Sequence, residues 1–203
     1  MILQSDPNWK TARLGHVTAS RVADVIARTK SGPSTSRANY AAELVVERLT
    51  MTPGEGFINA AMQWGLDTEP HARAAYEFRC GVDVGPAAFL KHPNIAWAGA
   101  SPDGFVGEDG LVEFKCPLSS THIDTLLGKK PPARYITQMM WQMAVANRQW
   151  CDYVSFDPRL PEHMRFFMQR VERDDRQIGE LEQEVELFLA EVEDTLKRLQ
   201  NGD

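Results

Sequence analysis

Hydrophobic residues recur at three- and four-residue steps in the last part of the chain, from about residue 174 to 200. Glutamates fill the positions between them, and this is the pattern of an amphipathic helix with one buried face. We expect the apolar face to pack on the body of the protein or on another subunit, while the acidic face is solvated. The apolar positions are Ile178, Leu181, Val185, Phe188, Leu189, Val192, Leu196 and Leu199.

The first 80 residues carry helical patterns that are separated by turn-forming residues. Thr18 or Ser20 is the expected N-cap of the first helix, and Gly81 is expected to end the last one. Pro70 predicts a kink or a fresh start inside that last helix. A polar loop is predicted over residues 30–36. The predicted helices span about residues 18–27, 37–49 and 58–78.

From residue 82 onward the pattern changes to short β-like runs, with one more helix among them. The dipeptide Asp109-Gly110 is a favoured hairpin turn between two of these runs. We therefore predict an α/β (α+β) fold in which helices flank a central mixed sheet. Strands are predicted over 82–89, 96–100, 111–116, 151–156 and 163–171, and a helix over 133–147. The expected single domain, 1–203, has a helical part to about 80, a sheet core over about 81–172 and the helix over about 174–200.

Composition is typical of a globular protein, with 43% hydrophobic and 25% charged residues in a chain of 203. It argues against disorder and against a disulfide scaffold. No apolar run is long enough for a membrane helix, and the N-terminus lacks a signal-peptide pattern, so we expect a cytoplasmic protein with no membrane partner. Cys80, Cys116 and Cys151 lie far apart and are expected to be reduced thiols.

The net charge of −6 is unevenly distributed. Residues 171–203 contain eleven acidic and four basic side chains, whereas the other 170 residues contain 17 acidic and 18 basic ones. The body of the protein is therefore almost neutral and has room for basic patches that bind nucleic acid. Five tryptophans, at positions 9, 64, 97, 141 and 150, are expected in the core rather than as platforms for base stacking.

The strongest chemical signal is Asp103 followed ten residues later by Glu113 and then by Lys115. Side chains alternate along a strand, so Glu113 and Lys115 share one face while Val112 and Phe114 take the other. The turn at residues 109 and 110 can return Asp103 to a position beside Glu113.

Two carboxylates at one point repel each other unless a cation lies between them, and oxygen ligands of this kind suit Mg²⁺. A lysine beside the metal can orient an attacking water and neutralise charge on a phosphate. This arrangement would suit metal-dependent hydrolysis of phosphodiesters. The alternative is an ordinary edge strand on which Glu113 and Lys115 form a surface ion pair.

A larger set of motifs, in constant order from about residue 9 to 175, resembles the phage lambda-type alkaline exonucleases. These form the YqaJ-type viral recombinase family within the PD-(D/E)xK nuclease superfamily, whose core is restriction-endonuclease-like. The matching stretches are residues 9–20, 64–69 with 72–73, 101–104, 110–117, 135–138, 157–159 and 171–174.

The resemblance implies a metal site that holds Mg²⁺, in two ions, with Mn²⁺ as the alternative metal. Asp103, Glu113 and the backbone carbonyl of Phe114 would be the ligands, and Lys115 would assist the attacking water. Glu69 would join the site directly or through water, although a glutamate ahead of Pro70 also suits a helix start. Gln138 would contact the scissile phosphate or the water.

The resemblance also implies a pocket for a 5′-phosphate, where a guanidinium and hydroxyls surround the anion. Its residues would be Arg13, Thr18, Ser20 and Ser101. Further contacts with DNA would come from Arg28, Lys30 and Tyr135.

The implied function is a Mg²⁺-dependent 5′→3′ exonuclease that degrades double-stranded DNA from 5′-phosphorylated ends. It would release 5′-mononucleotides and leave 3′ single-stranded overhangs for recombination by strand annealing. A ring-shaped homotrimer and a phage single-strand annealing protein as partner are implied as well. Two alternatives stay open: a structure-selective or restriction-like endonuclease, and a catalytically silent DNA-binding module.

Overall fold

The computed structural model describes residues 9–30, 32–54 and 59–202. Within these ranges no helix is both long and apolar enough to span a bilayer. The α-helices are α1 (Trp9–Arg13), α2 (Val22–Val25), α3 (Thr35–Thr50), α4 (Ala60–Cys80), α5 (Ser119–Gly128), α6 (Ala133–Ala146) and α7 (Asp175–Asn201). The strands are β1 (Val17–Thr18), β2 (Arg28–Thr29), β3 (Gly32–Pro33), β4 (Val84–Gly85), β5 (Leu90–Lys91), β6 (Ala98–Ala100), β7 (Gly104–Val106), β8 (Gly110–Lys115), β9 (Trp150–Phe156) and β10 (Phe166–Glu172). Short 3₁₀ helices lie at Ala19–Arg21 and Glu162–Met164.

Strand β8 is the central strand of a five-stranded mixed sheet with the order β10-β9-β8-β7-β4. It pairs antiparallel with β7 through a tight turn and parallel with β9 through the crossover that contains α5 and α6. A three-stranded sheet, β1-β6-β5, and the hairpin β2–β3 accompany it. The predicted fold class, a mixed sheet flanked by helices, is confirmed.

The side chains of β8 alternate between two hydrophobic cores. Leu111 packs in the core that α6 and α7 cover, whereas Val112 and Phe114 pack against α4 in the other. The alternation therefore points Glu113 toward α6, and this is the arrangement from which the candidate site is built. Helix α7 buries six residues of the predicted stripe, whereas Leu189 is only partly buried and Leu199, in the last turn, is exposed. The six are Ile178, Leu181, Val185, Phe188, Val192 and Leu196.

The acidic face of α7 makes ion pairs with the N-terminal part of the chain. Arg28 donates to Glu184 at 2.8 Å, and Arg37 donates to Glu191 at 2.5 Å. Arg37 is the better buried of the two arginines, with 11% of its side chain exposed. Part of this face is therefore paired, where the sequence predicted a solvated one.

Helix α4 continues through Pro70, so the predicted fresh start does not occur. Its interior side chains explain this, because Ala72 and Tyr76 are buried against the sheet and the Tyr76 hydroxyl donates to Asp152 at 2.7 Å. Packing on one face outweighs the hydrogen bond that proline cannot make. The helix starts at Ala60, and the predicted start at residue 58 lies outside the described residues.

Three predicted strands and one helix that was not predicted also differ from the structure. The strand predicted over 163–171 starts only at residue 166, because residues 162–164 form a 3₁₀ helix. The strand predicted over 82–89 is reduced to β4, because Pro86 lacks the N–H that a ladder needs. The strand predicted over 96–100 starts only at residue 98, since Trp97 has a φ of +61°. Helix α5 was not predicted at all, because two of the residues it buries, His122 and Thr125, are polar and break the apolar periodicity.

Candidate active site

The β-hairpin brings Asp103 to Glu113. Gly104 of β7 pairs with Val112 of β8, and one step further in the same register Asp103 faces Glu113. Directly opposed residues in an antiparallel pair present their side chains on the same face. The Oδ2 atom of Asp103 also accepts a hydrogen bond from the Phe114 backbone N–H at 2.7 Å. The structure thus places Asp103 where the sequence predicted.

Glu113 is 1% exposed, and donors contact both of its carboxylate oxygens. Oε1 accepts hydrogen bonds from the Lys115 ammonium and from Nε2 of Gln138, the latter at 2.6 Å. Oε2 accepts one from Nε2 of Gln142 at 2.7 Å. Charge-assisted hydrogen bonds of this kind fix the orientation of a buried carboxylate. The edge-strand alternative is wrong, because this ion pair is buried at the centre of the sheet.

Gln142 is a site residue that the sequence analysis did not identify. It lies one helical turn after Gln138 on α6, so both amides reach Glu113 from the same helix face. Its Oε1 atom is buried and has no hydrogen-bond partner within the described residues. The i, i+4 spacing of the two glutamines was the available signal.

Lys115 remains charged in this environment. Burial opposes the charge, but the carboxylates of Glu113 and Asp103 outweigh it and raise the pKa of the lysine. Its Nζ atom lies 4.9 Å from the ring centroid of Tyr135, which stacks on Tyr153. The structure therefore puts Tyr135 beside the catalytic lysine candidate.

Glu69 contributes charge to the cluster, and the structure shows no hydrogen bond between it and the other predicted site residues. Burial and the Glu113 carboxylate raise the pKa of Glu69, although Arg73 acts in the opposite direction. Burial, Glu113 and Glu69 together raise the pKa of Asp103 well above its usual value. Burial and the neighbouring carboxylates thus both disfavour the charged forms of Asp103 and Glu69.

This donor set suits Mg²⁺ in its chemistry, because carboxylate oxygens are ligands that the ion prefers. Asp103 and Glu113 are the residues that could hold it. Over residues 9–30, 32–54 and 59–202, however, no three His, Cys, Asp or Glu side chains form a group that could hold a metal ion. The Glu113 oxygens are instead satisfied by the ammonium and amides described above.

A second cleft, of about 330 Å³, collects most of the predicted phosphate-pocket residues. Arg13, Thr18 and Ser20 line it. Ser101 is connected to the cleft through Trp9, whose indole N–H donates to the Ser101 hydroxyl at 3.2 Å.

Arg13 is one of three basic residues that line this cleft, with Lys10 and Arg21, and its guanidinium lies 4.0 Å above the Trp9 ring. Burial lowers its pKa, against the influence of Tyr40 and Glu47. The Oε2 atom of Glu47 accepts from the Gly15 N–H at 2.8 Å. This leaves a desolvated cation beside hydroxyl groups, which suits an anion.

The two basic residues of the β2–β3 hairpin lie apart from both clusters. Arg28 is paired with Glu184 of α7, and Lys30 is exposed on the turn. The structure does not bring either of them to the Asp103–Glu113 cluster.

The comparisons with known proteins agree with this geometry. The YqaJ-like viral recombinase domain matches residues 8–149. The alkaline exonuclease LHK-Exo from Laribacter hongkongensis is 53% identical over 96% of both chains, with a TM-score of 0.90. The same enzyme in complex with dAMP is 52% identical over 96% of both chains, with a TM-score of 0.91.

A more distant structure shows the same fold. A phage-related exonuclease from Haemophilus somnus 129PT is 15% identical, with a TM-score of 0.74 over 94% of this chain and 99% of that one. No curated protein sequence matches the chain.

Proposed function

The chain belongs to the YqaJ-like viral recombinase family, and on that basis we propose that it is a Mg²⁺-dependent 5′→3′ exonuclease acting on double-stranded DNA. It releases 5′-mononucleotides and leaves a 3′ single-stranded overhang for annealing. The observation that carries the proposal is the buried cluster of Asp103, Glu113 and Lys115 at the centre of the sheet. The proposal is also supported by the similarity to the alkaline exonuclease LHK-Exo, in which about half of the residues are identical to those of this chain.

Asp103, Glu113 and the carbonyl of Phe114 would hold the metal in this proposal, with Glu69 adding negative charge nearby. When bound, Mg²⁺ would supply the positive charge that polarises the scissile phosphate and lowers the pKa of a water, so that the water can attack. Lys115, whose ammonium donates to Oε1 of Glu113, would hold the attacking water and balance charge on the phosphate.

The reaction is hydrolysis of a phosphodiester. The water oxygen bonds to phosphorus, the bond between phosphorus and the 3′ oxygen of the terminal nucleotide breaks, and the 3′ oxygen takes up a proton. Gln138 and Gln142 keep the Glu113 carboxylate in one orientation while this happens. The shortened strand then ends in a new 5′-phosphate.

The second cleft would bind that 5′-phosphate through Arg13, Thr18, Ser20 and Ser101. Each cleavage regenerates the group that the cleft binds, so the enzyme can step along one strand in register. Our proposal also includes a ring-shaped homotrimer, a phage single-strand annealing protein as partner and a cytoplasmic location.

The test is digestion of linear duplex DNA carrying a label at one 5′ or one 3′ end. Wild type with Mg²⁺ should shorten strands from the 5′ end and stop on addition of chelator. Glu113→Gln and Lys115→Ala should fold and be at least about 100-fold slower, since each removes a group at the reacting phosphate. Rates within tenfold of wild type would remove these residues from the mechanism.

Three outcomes would favour the alternatives. Ready cleavage of covalently closed circles, or equal rates on 5′-phosphorylated and dephosphorylated ends, would indicate an endonuclease. Duplex binding without any hydrolysis would indicate a silent DNA-binding module.

A further inference from the structure

Trp97 does not follow the expectation that the tryptophans lie in the core. Its side chain is 44% exposed. Its φ of +61° lies in the left-handed region, which bulky residues rarely adopt. Strained backbone at an exposed aromatic residue tends to be kept where the side chain has a task.

The exposed indole stands at a cavity of about 670 Å³ that is separate from the Asp103–Glu113 cluster. Phe89 and Leu90 form part of its apolar wall. The ionisable residues that line it, among those the structure describes, are Arg48, Lys91 and His16. The cavity therefore combines aromatic surface with positive charge.

Arg48 is the cation in closest contact with the indole, since its guanidinium carbon lies 4.4 Å from the Trp97 ring centroid. Its Nε atom donates to the Gly15 carbonyl at 3.0 Å, and an acidic partner, Glu193, is 3.9 Å away. The His16 ring lies 5.1 Å from the same indole. Arg48 and His16 thus hold the buried side of the Trp97 indole in place, and the rest of the ring is open to solvent.

The cavity adjoins the cleft that we assign to the 5′-phosphate. Leu14 and His16 line both of them. A DNA strand bound at one is therefore close to the other.

We propose that this cavity binds single-stranded DNA, with a base stacked on Trp97 and the neighbouring phosphates attracted by the exposed Lys91. The proposal rests on the proposed function in one respect: single-stranded DNA is that reaction's product. Non-specific single-strand sites combine cationic surface with aromatic platforms, because every base has a face that can stack. Bases in a duplex are already stacked on each other, so the site should discriminate against duplex.

The apolar rim of the cavity, which includes the exposed side chain of Met51, would also suit a protein partner. The exposed positive charge at Lys91 favours a polyanion. We therefore commit to the nucleic acid and treat protein contact as an outcome of the test.

The experiment uses fluorescence anisotropy to measure the binding of a fluorescein-labelled 12-nucleotide oligothymidylate to the full chain in EDTA. Trp97→Ala should weaken binding about tenfold, and Trp97→Tyr should restore most of it, since an aromatic face returns. Lys91→Gln should weaken binding and lower the salt dependence by about one phosphate contact. Phe78→Ala is the control, because Phe78 is 91% exposed and lies outside the cavity.

Unchanged affinity in both Trp97→Ala and Lys91→Gln would overturn the proposal. So would a loss of affinity in Trp97→Ala that accompanies a change of oligomeric state in sedimentation, which would indicate a protein contact. Duplex digestion with Mg²⁺ is measured on the same samples, so a failure of the proposed nuclease activity is seen separately. Lys91→Gln, a surface change, keeps the test valid if Trp97→Ala does not fold.

Discussion

Gln142 donates to Oε2 of Glu113 at 2.7 Å, from a position one helical turn after the glutamine that contacts Oε1. A single helix thereby holds both oxygens of the buried carboxylate. The strand supplies the acid and its ammonium partner, and α6 sets the direction in which the carboxylate points.

Replacing Gln142 by Met should reduce turnover about tenfold and lower the free energy of unfolding by about 1–3 kcal/mol, because a buried charged acceptor loses a donor. The KM for duplex DNA should change little, since Gln142 is buried away from solvent. Steady-state kinetics and urea unfolding measure the two effects. Met143→Leu, a buried change on the same helix, is the control, and equal effects of the two substitutions would contradict a specific role for Gln142.

Arg13→Ala should reduce the preference for 5′-phosphorylated over dephosphorylated ends and shorten the run per binding event. The ratio of the rate on phosphorylated ends to the rate on dephosphorylated ends should fall about tenfold or more, since a desolvated charge-assisted contact is removed. Arg28→Ala is the matched control, because Arg28 is paired with Glu184 outside the cleft. An unchanged ratio in Arg13→Ala would place the phosphate elsewhere.

Without metal, the chain should lose stability as the pH rises. Burial and neighbouring carboxylates raise the pKa of Asp103 and of Glu69. A carboxyl with a raised folded-state pKa favours folding below its unfolded value, and this contribution is lost as the pH rises through the folded value.

Thermal unfolding in EDTA should therefore show a lower Tm at pH 8 than at pH 5, and Glu69→Gln should reduce that difference. Mg²⁺ should raise the Tm more at pH 8 than at pH 5. An exposed acid on another helix, Glu180, supplies the control variant Glu180→Gln. A Glu69→Gln protein with an unaltered pH dependence would show that Glu69 is too well solvated to matter.

Ionised Asp157 should stabilise the fold, and this contribution should be lost as the pH falls. Its side chain is buried, which alone would raise the pKa, but hydrogen bonds from Arg159 and Ser119 outweigh burial and lower the pKa to about 2. Its contribution to stability is present above the unfolded pKa and is lost as the pH falls from about 4 to about 2.

Asp157→Asn should cost about 1 kcal/mol at pH 7, a reduced figure because the Arg159 side chain is 40% exposed. The difference between the free energies of unfolding of the variant and of wild type should shrink as the pH falls toward 2. Urea unfolding at pH 7, 4 and 3 measures it, and a constant difference would rule out ionisation of Asp157 as the cause.

The sequence was enough to predict the acidic pair and the lysine, because strand alternation and the Asp109-Gly110 turn are local features that fix which residues share a face. Gln142 could not be predicted in this way. A glutamine in the middle of a helix is usually solvated, and only the packing of α6 over β8 shows that this one is buried. The exposure of Trp97 was likewise hidden, since it depends on a backbone angle that composition does not specify.

The pairing of α7 with Arg28 and Arg37 has a consequence for biosynthesis. The first of these arginines is translated long before the glutamates that neutralise them, so a nascent chain that has reached only β10 lacks the surface that covers α2 and α3. Contacts over such a sequence separation form late and slow folding. Synthesis therefore has to reach α7 before the surface of α2 and α3 is covered and the two arginines find their acidic partners.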